Sequence, residues 1–305
     1  MRIVSLLPSA TEICFSLGLG EQVVGVTHEC DFPPDALAKP KLTRSMLPEP
    51  LQTHPGAKRT AQPGRSTEID RHVRANVHRG SSLYALDSDL LEALAPDLII
   101  TQELCAVCAV SYEIVAGAAK RLRGDPRVIS LEPASLEDVF GTIETVATIC
   151  SVQERAAGLL ADLRSRVAAL RASTGSLPRR RTLLLEWPDP PMSAGHWIPD
   201  VIELAGGEPL LAHAGGNSQR LEWSAIAQGD PDVVFVAPCG YDLAAATEAT
   251  RELDVIPAWR TLRAVREGRV FPIDGNAYVS RPGPRLVDTA EILARALHGD
   301  ALARV

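Results

Sequence analysis

Cys105 and Cys108, spaced Cys-x-x-Cys, are residues whose type and spacing could do chemistry. A thiolate at a helix amino terminus is stabilised by the aligned peptide dipoles. The pair therefore has three readings: two packed thiols, a reversible disulfide, or ligands to a soft metal. Metal ligation draws support from Cys239 and from His28 or Cys30, which could complete a four-donor set for zinc, cobalt or iron. A second chemistry surrounds these residues. His28, Glu29 and Cys30, then Gln102 and Glu103, then Trp187, His196 and Trp197, then Gly240 and Tyr241, and finally Asn276, Tyr278 and Arg281 fall in five loops rich in polar and aromatic groups. Two of the four tryptophans and two of the four tyrosines are among them, and such rings are costly to expose unless something stacks on them. A flat or bulky organic ligand suits these walls. The plainer alternatives stay open: His28 and His196 as hydrogen-bonded loop histidines, Trp187 and Trp197 as packing beneath the neighbouring prolines, Arg281 or Arg285 as a helix cap or a bridge between lobes rather than a holder of an anionic group.

Each of these loops follows a short run of Val, Ile and Leu, which is how a parallel strand buried on both faces reads. Strands are expected over Arg2–Leu7, Val23–Val26, Asp97–Thr101 and Arg127–Leu131, and again over Arg181–Glu186, Pro209–Leu211, Asp232–Val236 and Arg269–Ile273. The two sets echo one another: Ala95-Pro96-Asp97 before one strand matches Asp230-Pro231-Asp232 before another, and Arg127-Val128-Ile129 matches Arg269-Val270-Phe271. Helices alternate with the strands, among them one capped by Ser9 or Thr11 and running to about Leu17, and others over Asp89–Leu94, Pro199–Leu204 and Arg285–Leu297. Between the sets, Leu136 to Ala172 holds apolar residues at helical spacing, including Val139, Ile143, Val146, Ala157, Leu160 and Val167, without proline. One helix of roughly 55 Å is expected there at 1.5 Å per residue. The fold class is α/β: two Rossmann-like lobes with mostly parallel sheets, residues 1–133 and 177–305, joined by one long helix within 134–176. Residues 48–66, with four prolines and almost no apolar periodicity, read as a mobile surface loop. Ligands of open parallel sheets sit outside the carboxyl ends of the strands, so a cleft between the lobes with a small hinge opening is the expected site.

Composition excludes several classes. A length of 305 residues suits two lobes. Hydrophobic residues at 46% and charged ones at 23% describe an ordinary globular chain, and no apolar run approaches the ~18 residues of a membrane span. A net charge of −7 without a concentrated basic face argues against nucleic acid as a partner. Six cysteines in a chain with two cores are read as reduced thiols, with Cys14 and Cys150 on apolar helical faces. Reading Arg2–Leu7 as a strand leaves no room for a secretory leader. That places the protein in the cytoplasm, with the periplasm or cell surface as the alternative for a chain whose natural leader has been removed.

Ile3-Val4-Ser5-Leu6-Leu7-Pro8-Ser9-Ala10-Thr11-Glu12-Ile13, Val24-Gly25-Val26-Thr27-His28 with Asp31-Phe32-Pro33-Pro34, and Leu94-Ala95-Pro96-Asp97-Leu98-Ile99 resemble the cobalamin- and iron-siderophore-binding proteins of ABC importers, most closely the cobalamin-binding branch. The likeness covers nearly the whole chain apart from residues 48–66. It implies a non-catalytic protein that takes a corrinoid or related tetrapyrrole as ligand, requires no cofactor, and lines its cleft with residues 28–34 and the loops after Thr101 and Ile273. The family also implies an ABC permease as partner, docked through a glutamate on each lobe; Asp89 and Ser224 stand at those positions, with Glu222 close by. The thiols at 105, 108 and 239 are not part of that pattern. A cytoplasmic metal-binding protein, or a metal-dependent enzyme using the Cys/His cluster, is the competing reading, and a scaffold with a vestigial cleft is a third.

Overall fold

The computed structural model describes residues 1–52, 64–78, 83–102, 112–122 and 124–299. Its contacts divide the chain into two units, one holding residues 1–58, 68–133 and 140–159, the other residues 59–67, 134–139 and 160–305.

The first unit is built on strands too short and too apolar to stand alone: β1 (Ile3–Ser5), β2 (Val23–Val26), β5 (Leu98–Thr101) and β6 (Arg127–Ser130) form one parallel sheet in the order β2-β1-β5-β6. Helices α1 (Pro8–Ser16), α3 (Ser88–Leu94) and α4 (Tyr112–Ala119) alternate with them, and β3 (Thr43–Ser45) pairs antiparallel with β4 (Tyr84–Leu86). Val4, Leu6, Leu42, Leu91, Ile99 and Val115 make the core of one face. Proline at the first position and Leu7 at the cap start α1. The expected caps Ser9 and Thr11 lie inside the helix instead, and the Thr11 hydroxyl donates to Ser5 Oγ at 2.8 Å. Helix α2 (Arg65–His78) is an element that the loop reading of residues 48–66 missed. Arg65 and Ser66 are buried, so the end of that stretch is ordered structure. Residues 53–63 lie outside the described ones.

The second unit repeats the plan. Strands β7 (Arg180–Pro188), β8 (Pro191–Ser193), β9 (Gly207–Pro209), β10 (Val233–Val236) and β11 (Val270–Pro272) form one sheet in which β10 and β9 run parallel to β7 and β8 antiparallel. β11 extends it parallel to β10. Helices α7 (Ile198–Leu204), α8 (Trp223–Gly229), α9 (Leu243–Glu252), α10 (Pro257–Thr261), α11 (Arg263–Arg266), α12 (Gly275–Tyr278) and α13 (Leu286–His298) complete it. Leu183, Leu185, Val234, Val236 and Trp259 lie at the centre of one core. The ninth strand begins two residues earlier than the expected Pro209–Leu211, because Gly207 pairs with Arg180 and the edge ladder ends at Pro209, opposite Thr182.

The expected single helix over Leu136–Ala172 is two helices, α5 (Leu136–Ile149) and α6 (Gln153–Thr174). Neither proline nor glycine breaks it. Val152 N–H donates to Ala147 C=O at 2.9 Å and Ser151 N–H to Thr148 C=O at 3.3 Å, with Ser151 at φ 58°. This is a Schellman turn, in which a left-handed residue lets the chain satisfy the last carbonyls of a helix. Beyond it the buried apolar positions are Ala156, Leu160, Leu163 and Leu170, whereas the expected Ala157 is exposed and Val167 only half-buried. Serine bears the cost of the left-handed conformation that glycine avoids. Ser151→Gly is expected to stabilise the protein by about 0.5–1 kcal/mol, read as a raised urea midpoint at unchanged slope. A lowered midpoint would show that this turn does not strain the serine.

Candidate functional site

In the first unit the strand ends carry a small polar group around an imidazole. β2 ends at Val26, and His28 follows with Nδ1 2.7 Å from Thr43 Oγ1 and its ring 5.5 Å from the Tyr84 ring. Tyr84 donates its hydroxyl to Glu29 at 3.3 Å. The β3–β4 pair therefore positions both His28 and Glu29, through two residues that sequence reasoning did not single out, Thr43 and Tyr84. Cys30 belongs elsewhere. It is 1% exposed, with its sulfur 3.1 Å from the Thr11 hydroxyl and 3.2 Å from that of Thr27, so it is part of the core beneath the loop rather than a ligand wall. Gln102, just after β5, is buried. Glu103, Cys105 and Cys108 lie outside the described residues.

The second unit gathers more of the expected residues. Trp187 near the end of β7 and Tyr241 after β10 meet edge to face, with centroids 5.6 Å apart. The segment at the start of α2 lies on them: Trp187 Nε1 donates to the Ser66 carbonyl at 3.2 Å, Ser66 Oγ is 3.2 Å from the Tyr241 hydroxyl, and the Arg65 guanidinium stands 5.8 Å above the Tyr241 ring. Thr67 donates to Asp189, and Gly64 N–H to Glu252. Sequence reasoning assigned Arg65 and Ser66 to a loop. Their one signal is Gly64 followed by Glu68, an acidic residue in the first turn after a breaker. Asn276 donates its backbone N–H to Tyr241 C=O at 3.1 Å, and its side-chain oxygen accepts from Arg281 at 3.0 Å. Arg281 is 4% exposed, which fits the bracing of this loop. Tyr278 lies under the Arg285 guanidinium at 5.6 Å. Trp197 is a core residue, 7% exposed and donating to Val279 C=O at 3.0 Å. Gly240 takes a left-handed φ of 75° beside the exposed Cys239. Among the described residues no group of three or more His, Cys, Asp or Glu could hold a metal ion.

A partly buried carboxyl sits next to this wall. Glu186, one residue before Trp187 in β7, accepts from the Ser218 hydroxyl and from Gly195 N–H, and burial raises its pKa from 4.5 to about 7 against those two hydrogen bonds. The approach is close because position 195 is glycine: a Cβ there would lie 2.7 Å from the Asn217 carbonyl carbon. His196 beside it has φ 52° and a pKa lowered by burial, partly offset by a hydrogen bond with the Asn217 side chain. A carboxyl whose folded pKa is raised costs stability as pH climbs from the unfolded value to the folded one. The protein is therefore expected to lose up to about 3 kcal/mol between pH 4.5 and 7 from this group. Glu186→Gln, which keeps an acceptor for Ser218 and Gly195, should flatten that part of the urea-midpoint profile. Parallel profiles for the two proteins would overturn the assignment.

The family model described as periplasmic binding protein matches residues 3–277. The chain is 24% identical over 307 residues to an uncharacterized ABC transporter substrate-binding lipoprotein, YvrC, of Bacillus subtilis, covering 98% of this chain and 80% of that one. It is 24% identical over 300 residues to a vitamin B12-binding protein of Vibrio cholerae, covering 95% and 86%. Among solved structures, the periplasmic heme-binding protein RhuT from Roseiflexus sp. RS-1 superposes with a TM-score of 0.70 at 24% identity, covering 99% of this chain and 98% of that one. These findings correct the cytoplasmic expectation, since the relatives are a lipoprotein and periplasmic proteins. Ile3–Ser5 does form the first strand, but a strand near residue 1 carries no information about compartment. The enzyme alternative falls with the same comparison. The chain belongs to the periplasmic binding protein family, as a binding protein of two α/β units.

Proposed function

We propose that this chain is the substrate-binding protein of an ABC importer and that its ligand is a corrinoid or related tetrapyrrole. The observation that carries the reading is the Trp187–Tyr241 pair at the strand ends of the second unit, two large rings where an open parallel sheet places its ligand. The full-length likeness to the vitamin B12-binding protein of Vibrio cholerae and to the heme-binding RhuT agrees with a macrocycle. Chemistry favours the corrinoid of the two. Asp189 and Glu252 flank the ring pair through Thr67 and Gly64; carboxylates accept hydrogen bonds from the amide side chains of a corrinoid and repel the carboxylates of haem. His28, Glu29, Gln102, Asn276 and Tyr278 are the further polar contacts in this reading, and Glu103 stays with them as a candidate. Cys105, Cys108 and Cys239 have no part in it.

The partner is the importer's permease. Asp89, in the first turn of α3, and Glu222, at the cap of α8, are exposed acidic residues on separate units. Glu222 supplies near Ser224 the charge that Ser224 itself lacks. Each can pair with a basic residue of a membrane partner. Among the described residues no helix is long and apolar enough to cross a membrane.

Titration with cobinamide and cobalamin, followed by tryptophan fluorescence, is expected to show binding at micromolar concentration or tighter. No change up to roughly millimolar ligand, where binding is worth only about −4 kcal/mol, would sink the proposal. Tighter binding of haemin in the same titration would transfer it to haem.

A further inference from the structure

We propose that residues 64–67 are a self-occluding strap, which covers the aromatic wall of the second unit and must lift before a macrocycle can stack there. The proposal rests on the ligand reading above, since the wall is the one assigned to the corrinoid. Four consecutive residues each make a separate contact with it. Gly64 donates its N–H to Glu252, Arg65 lies over the Tyr241 ring, Ser66 bonds both Trp187 and the Tyr241 hydroxyl, and Thr67 donates to Asp189. Tyr241 is left only 3% exposed. The Arg65 guanidinium holds one face of the Tyr241 ring, and a cation above an aromatic ring is itself a favourable occupant that a stacking ligand would have to displace.

Three features make the strap removable. The two Ser66 bonds, to Trp187 and Tyr241, are neutral hydrogen bonds of the kind that contribute modestly, and water can replace them and solvate the Asp189 and Glu252 carboxylates on release. Its grip is short: the same helix that starts at Arg65 groups with the first unit from Glu68 onward, so only its first turn is committed to this wall. The groups that release would uncover are those a corrinoid can use, the indole N–H of Trp187, the Tyr241 hydroxyl, and the Asp189 and Glu252 carboxylates. A permanent core contact has no reason to cover so many hydrogen-bonding groups with one short polar segment.

The test weakens the strap from its own side and leaves the wall intact. Ser66→Ala with Thr67→Ala removes the two side-chain bonds, and Thr67→Ala alone, at an exposed position, is the variant least able to disturb folding. Cobinamide is expected to bind the double variant roughly three- to tenfold tighter than wild type, because a larger fraction of the protein has an open wall. Trypsin cleavage after Arg65, identified by mass spectrometry, reports the strap directly. It should be faster in the variants without ligand, and faster in wild type when cobinamide is added. Unchanged or weaker affinity together with cobinamide-protected Arg65 would overturn the strap. If cobinamide binds neither protein, the ligand reading fails by itself, and the strap then stands on faster ligand-free cleavage of the variants or falls on equal cleavage.

Discussion

One carboxylate in each unit sets the register on which everything above it depends. Asp97 accepts the backbone N–H of Arg2 at 2.6 Å and returns its own N–H to Arg2 C=O at 2.9 Å; Asp232 does the same with Arg181 at 2.8 Å in both directions. Each clasp lies one residue before a parallel pairing, Ile3 with Leu98 and Thr182 with Val233. A slip of one residue would turn every side chain of these strands to the opposite face, and strands buried on both faces offer little patterning to prevent it. An aspartate that bonds the neighbouring backbone from both its side chain and its main chain does so. Burial by itself would raise the Asp232 pKa, but the Arg181 backbone bond and the Arg263 and Arg181 guanidinium groups outweigh it and hold the carboxyl below its ordinary value. The clasp thus stays ionised through the neutral range and is lost only as pH falls well into the acid range.

The two clasps explain why the repeated tripeptide is legible in the sequence. Ala95 and Asp230 both take left-handed backbone conformations, φ 42° and 38°, ending a helix; the proline that follows cannot continue it, and the aspartate then starts the strand. The constraint is local and written in residue types, so it shows in a bare sequence. The parallel strands were readable for the same reason, since Leu98–Thr101 and Val233–Val236 are buried at every position.

What was not readable involves partners distant in sequence. Trp187 and Tyr241 are legible because large aromatic rings in loops after strands are costly to expose unless something stacks on them, whereas Arg65 and Ser66, more than a hundred residues away, have no pattern to connect them to that wall. Cys30 and Trp197 stand among the expected ligand-surface residues because each lies in a loop that follows a strand. Their burial against Thr11 and Thr27 in one case, and the Val279 carbonyl in the other, depends on how those loops fold back. Position after a strand identifies a loop; it does not say which side of the loop faces inward.

The turn at Cys150–Val152 changes the phase of the helix it interrupts. At about 100° per residue, nine residues of unbroken helix would carry Ala156 half a revolution from Ala147, yet both are buried, the first in α6 and the second in α5. Three residues of Schellman geometry therefore act as a rotational joint, and the two apolar stripes need share no common azimuth. Sequence drift on either side is thereby uncoupled: an insertion within α5 would misalign the rest of the α5 stripe alone, where in a single rod it would displace every buried position of α6 as well.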